Sequence, residues 1–236
     1  MMRRVAAAAG TMLLLVVVGC NREEARRKEP EKLRAGRLEQ ELAKLQADFS
    51  GQKPLGLPDR ENKGRHPSRD RLVPEWRDYH ETLAACERDL AEIMEKVAAR
   101  RIPEIAGPAL RGWRRSSDLA AKATAKMGEL GTDTATDSAV DRFVAQVRYY
   151  KALASLALVY SNVFLRPLGL LAQHGPRAER ASAFEQLASE HPRTELPGRA
   201  ASIALVLQAA WAGEDDPALK ARMEQKLKEL KLPLAH

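Results

Sequence analysis

The chain is poor in the residues that build sheets and disulfide scaffolds. Aromatics make up 5% of its 236 residues and there are only two cysteines, Cys20 and Cys86, which excludes the disulfide framework that holds many small secreted domains. Alternating runs of β-branched residues are nearly absent after residue 20, so half-buried strands are not expected. Motifs with a known chemistry are missing as well. There is no C-x-x-C-H for haem, no G-x-S-x-G nucleophile turn and no phosphate-binding loop. His80-Glu81 opens like a helical zinc-protease motif, but that site needs a second histidine one turn later and Ala84 stands there. The remaining histidines, His66, His174, His191 and His236, share no ligand spacing. Neither a metal nor a cofactor is expected.

Charge is plentiful but dispersed. Lys and Arg number 39 against 32 Asp and Glu, a net +7 that falls to +5 without Arg3 and Arg4. A nucleic-acid binder concentrates its basic residues on one face, so no nucleic-acid partner is expected.

What fills the chain is Ala, Leu, Glu, Lys and Arg, the strong helix formers. The expected fold class is all-α: a helical bundle of about five to six helices behind an N-terminal amphipathic helix and a flexible linker. From Glu31 to Phe49 the residues Leu38, Leu42, Leu45 and Phe49 keep a 4-3-4 spacing among charged neighbours, the seam of a short coiled coil or of a helix lying on the domain or on a membrane. Residues 50–74 hold Pro54, Pro58, Pro67 and Pro74 with few large apolar side chains, a composition that cannot form a core. Trp76, Tyr79, Leu83, Cys86, Leu90, Ile93 and Val97 then alternate at intervals of three and four. They predict a long bundle helix ended by Ile102-Pro103, with Cys86 as a small buried hydrophobe.

A second helix is expected over about 109–130, where Ala120, Ala121, Ala123 and Ala125 permit close approach of a neighbour. Its Arg111, Arg114 and Arg115 surround Trp113 and read either as a solvated face or as an anion site with an aromatic platform. Ser138-Ala139-Val140-Asp141 fits a capping box opening a helix apolar nearly all round, kinked at Pro167, which reads as central and buried rather than membrane-spanning. Three shorter helices, about 177–190, 198–213 and 217–231, complete the chain.

The N-terminus carries a different signal. Arg3 and Arg4 precede an uncharged run from Val5 to Val18, then Gly19 and Cys20, after which Asn21-Arg22-Glu23-Glu24 turns abruptly polar. That order is a signal peptide, and the run is shorter than the ~20 apolar residues a spanning helix needs. Val17-Val18-Gly19-Cys20 resembles the lipobox of bacterial lipoproteins, with Val17 where leucine is usual. The resemblance implies cleavage between Gly19 and Cys20 and diacyl lipid on the Cys20 thiol, the only covalent group expected. Two acyl chains anchor stably where one gives reversible binding. Asn21, where the inner-membrane retention signal has aspartate, implies the outer membrane facing the periplasm. Organisation is expected as 1–19 signal peptide, 20–49 lipidated cysteine and charged amphipathic helix, 50–74 Pro/Gly-rich basic linker, and 75–236 helical domain. About 54 residues would then separate the lipid from that domain.

Phe184-Glu185-Gln186-Leu187, Ser189-Glu190-His191-Pro192 and Ala200-Ala201 loosely resemble one tetratricopeptide-type helical pair over about 34 residues, without that family's Trp, Gly and Tyr positions. No second copy is found, and repeat folds need about three. Two functional classes remain. One is a non-catalytic envelope scaffold bound to the membrane by its lipid, with another envelope protein as partner. The other is a small-molecule or lipid carrier or enzyme with a site inside the bundle, where Tyr150, Tyr160, Asn162 and Arg166 are the polar candidates.

Overall fold

A computed structural model describes residues 31–47, 73–130, 137–194 and 196–234. The expected signal peptide, Cys20, most of the expected 50–74 linker and the expected Gly131–Thr136 turn before the capping box lie outside the described residues. Seven α-helices are present: α1 (residues 31–47), α2 (Trp76–Ala98), α3 (Ala106–Glu129), α4 (Asp137–His174), α5 (Arg177–Glu190), α6 (Pro197–Ala212) and α7 (Pro217–Glu229). Short 3-10 turns occupy Ile102–Ile105 and His191–Arg193. Among the described residues there is no strand, so the all-α expectation holds.

The apolar periodicity chooses each buried face. In α2 the stripe Tyr79, Leu83, Cys86, Ile93 and Val97 is buried, as the alternating spacing requires. The helix stops earlier than Ile102-Pro103 would dictate. Arg100 takes a left-handed φ of 57°, and the N–H groups of Arg100 and Arg101 turn back to the carbonyls of Val97 and Lys96, a Schellman ending without its usual glycine. α3 begins three residues earlier than expected. Pro108 falls in its first turn, where the missing N–H has no intrahelical partner to lose.

α4, about 57 Å long at 1.5 Å per residue, is the axis of the body. It runs through Pro167 without interruption and packs most extensively along α3, then along α5 and α6. The alanines of α3 do what small residues allow: Ala120 and Ala123 are sealed in the interface. At Gly112 the approach is closest, since a Cβ there would collide with the Phe164 ring. By length and composition α4 could cross a membrane, yet Leu153, Ala157, Phe164, Leu168 and Leu171 are fully sealed against the other helices.

For the N-terminal helix the structure selects one of the expected alternatives, a helix lying on the domain. Leu38, Leu42 and Leu45 are 4%, 2% and 0% exposed and belong to the same core as the rest, each burial contributing roughly 1.5–3 kcal/mol. The three leucines of the 4-3-4 seam are therefore consumed by the chain's own body, not by a coiled-coil partner or a membrane; Phe49 lies outside the described residues. Two arginines lock it in place. Arg34 of α1 donates to the carbonyls of Gln173 (2.7 Å) and Gly213 (2.6 Å) and to Asp215 (2.7 Å). Arg180 of α5, with no exposed surface, directs all five N–H groups to acceptors. Nε and Nη2 reach Glu214 at 2.8 and 3.2 Å, Nη1 and Nη2 reach Glu31 at 3.1 and 2.9 Å, and Nη1 also reaches the Gly175 carbonyl at 2.9 Å. Among the described residues the packed body therefore includes α1 from Glu31 onward, eleven residues after Cys20. Val73, expected in the linker, is also buried in the core, at 1% exposure.

Candidate functional site

The sequence-derived candidates are not gathered around one cavity. Tyr150 packs edge-on against Tyr79 and Tyr149, and burial, with the nearby Glu75 carboxylate, pushes its phenol up to about 12. Tyr160 lies stacked near Phe164 and donates a long 3.4 Å hydrogen bond to Glu87; burial, reinforced by Glu87, raises its pKa. Asn162 is exposed and accepts from Arg199. Arg166 is exposed on the side where its charge reaches Glu41. Along α4, Tyr150 and Arg166 stand roughly 24 Å apart at 1.5 Å per residue. The arginines around Trp113 are occupied too. Arg111 and Arg115 pair with Asp89, Arg111 also with Glu92 at 2.7 Å, and Arg114 with Glu190. The Trp113 ring is sealed at 3% exposure, so it offers no open platform. Cys86 is fully buried, and burial pushes its thiol up to about 12, which makes it inert.

A different place in the fold has the features of a site. One face of α3 and the segment joining α5 to α6 enclose an open groove of about 450 Å³, within the range of small-ligand clefts. Trp113, Arg114, Ser117, Asp118, Ala121 and Lys122 form the α3 wall, one side of the helix at intervals of one and three. Glu190, Arg193, Thr194, Leu196 and Arg199 form the other.

The two buried charges of this groove are treated differently. Glu190, 4% exposed, receives Nε of Arg114 at 3.0 Å together with its Nη2, and Arg193 stands 3.8 Å away. Arg199, 8% exposed, has only neutral hydrogen-bond partners among the described residues. Nη1 donates to Ser161 Oγ and, at 2.9 Å, to Asn162 Oδ1. Among the described residues no carboxylate pairs with it, and Nε and Nη2 have no acceptor. Burial alone holds its pKa below the ordinary arginine value. Two further polar atoms of the lining, Trp113 Nε1 and Ser117 Oγ, are buried without a hydrogen-bond partner.

Arg199 was missed at the sequence level, although a signal exists. It is the sole charged residue of α6 and sits in the first turn, where the helix dipole favours acidic side chains and opposes a cation. A lone charge placed against both burial and dipole marks a residue kept for something other than helix stability.

Comparison with known protein families, characterised proteins and solved structures gives no match. The functional reading therefore rests on the residues themselves.

Proposed function

We propose that this chain is a lipid-anchored envelope protein whose helical body serves as a non-catalytic scaffold for another envelope protein, at the periplasmic face of the outer membrane. The resemblance of Val17-Val18-Gly19-Cys20 to a lipobox supports the anchor, and Asn21 after the cysteine supports the outer membrane. The observation that carries the scaffold reading is the docking of α1. Glu31 and Arg34 are clamped to the ends of α4 and α6 and to α5, so a packed residue lies eleven positions from the cysteine proposed to carry lipid. Eleven extended residues span at most roughly 40 Å. Such a body is held at the membrane surface and oriented by its first helix, which suits presentation of a fixed surface better than long-range reach.

The test is fractionation combined with in-cell crosslinking. Cys20→Ser should leave an unprocessed precursor without lipid, as intact mass reads, and should lose the crosslinked envelope partner that the wild type yields. A wild-type mature chain without lipid would sink the anchor, and repeated crosslinking that recovers nothing above background would sink the scaffold.

A further inference from the structure

Buried guanidinium groups without a counter-charge are costly, because desolvation is uncompensated. Nearly all other buried charges here are answered: Arg180 by Glu214 and Glu31, Arg34 by Asp215, Asp89 by Arg111 and Arg115, and Glu190 by Arg114. Arg199 stands apart, and it does so on the wall of the groove. Its Nη1 is fixed by Ser161 and Asn162, which orients the guanidinium and leaves Nε and Nη2, one edge of the fork, without an acceptor.

We infer that this groove binds an oxyanion, a carboxylate or phosphate group carried by a small molecule, with Nε and Nη2 of Arg199 as the bidentate donor. An arginine fork matches both oxyanions in geometry, and charge-assisted bonds of this kind are the strong ones. Three other features of the site fit the same class. The lining carries four basic residues, Arg114, Lys122, Arg193 and Arg199, against Asp118 and Glu190; with Arg114 spent on Glu190, three basic residues still face one carboxylate. Arg199 lies in the first turn of α6, whose N-terminus has no side-chain cap, so the positive end of that helix adds to the attraction. Ser117 Oγ lies in the lining with no acceptor or donor of its own, one rotation from a ligand hydrogen bond. The inference stands independently of the scaffold proposal, since it concerns a groove between α3 and α6, not the anchored end of α1.

The experiment uses the full lipidated chain in detergent, with nitrogen-15 NMR of the arginine Nε–H and tryptophan indole groups. The probes are inorganic phosphate, succinate and, as ionic-strength control, sodium chloride; phosphatidylglycerol and phosphatidylcholine vesicles form a second arm. Expected is a saturable shift of the Arg199 Nε–H with phosphate or succinate that chloride does not reproduce. Arg199→Gln should weaken binding by tenfold or more, the consequence of losing ~1.4 kcal/mol or more of charge-assisted bonding, and Arg199→Lys, which keeps the charge but loses the fork, should fall between. Saturation by the free anions assigns the ligand to a soluble molecule, and saturation by phosphatidylglycerol vesicles alone assigns it to a headgroup. The inference is overturned if no oxyanion probe shifts the wild-type Arg199 signal, if chloride reproduces the shift, or if Arg199→Gln, still helical by circular dichroism, binds as the wild type does.

Discussion

Arg180 and Arg199 are both arginines on helices of this body, both more than nine-tenths buried, and yet they live in opposite electrostatic circumstances. Arg180 sits where α1, α5 and the α6–α7 turn meet, with every N–H bonded and two carboxylates beside it. Arg199, at the other end of α6, about 21 Å away by helical rise, leans on a hydroxyl and an amide. The first arrangement is a structural joint, since it is complete as it stands. The second is an incomplete shell whose missing member is negative. Burial by itself therefore distinguishes nothing; what separates a joint from a site is whether the partners are already in the chain.

The comparison can be broken most severely at Arg180. Arg180→Met removes the nearest counter-charge of the Glu214 carboxylate, whose side chain has no exposed surface, leaving it Arg34 at 3.5 Å and two backbone N–H groups, and should cost about 3 kcal/mol or more of stability in chemical denaturation. The same change at Arg199 removes an uncompensated charge and should stay within about 1 kcal/mol of wild type or exceed it. Equal losses at the two positions would erase the distinction drawn here. Next in size is Arg34→Ala, which removes charge-assisted bonds to two carbonyls and Asp215 and should cost about 1.5–3 kcal/mol. Amide hydrogen exchange should then accelerate in residues 31–47 before it does in α3 or α4; uniform acceleration would show that α1 is not a separable unit.

The smallest effect is expected at Asp216, which sharpens the joint's edge. Its carboxylate caps α7 by accepting from the N–H groups of Ala218 and Leu219, both at 3.0 Å, and it pairs with Arg177 at 2.6 Å. The Arg177 guanidinium first, and the Leu219 N–H next, hold its pKa down from 3.8 to about 2. A folded pKa below the unfolded one stabilises the fold above the ordinary value, and that contribution disappears as pH falls from near 4 toward 2. Asp216→Ala should cost about 1 kcal/mol at neutral pH, and denaturation curves of the variant should converge on wild type in that acidic window.

Much of the fold was legible because helices advertise themselves locally. The stripe from Tyr79 to Val97, the alanines of α3, the all-round apolar α4 and the Asp216-Pro217 start of α7 each contain their own explanation. The docking of α1 was not legible. A charged helix with one leucine seam reads the same whether the seam meets another chain, a membrane or its own body. The acceptors that decide the matter at Arg34 are mostly backbone carbonyls, of Gln173 and Gly213, which have no side-chain signature. The four polar candidates are not gathered at one cavity for a related reason. Tyr150, Tyr160, Asn162 and Arg166 were chosen as polar groups on the most apolar helix, but two are core tyrosines, and Asn162 and Arg166, one turn apart on an exposed face, face Arg199 and the charge of Glu41. The telling residue lay on α6, where only the contrast between Arg199 and its uniformly uncharged helix hinted at it.

The bonds of Arg34 also constrain when this molecule can exist. Its partners Gln173, Gly213 and Asp215 lie 139, 179 and 181 residues further along the chain, so the first helix to be synthesised is among the last to find its place. A chain made from the N-terminus must carry α1 without its Gly213 and Asp215 partners until the α6–α7 turn has emerged. Closure of the body thus registers that nearly the whole sequence has arrived. A product truncated before Gly213 would keep the Gln173 and Arg180 contacts of α1 but lose the Gly213, Glu214 and Asp215 acceptors, leaving its own beginning loosely fastened, a handle for proteolysis.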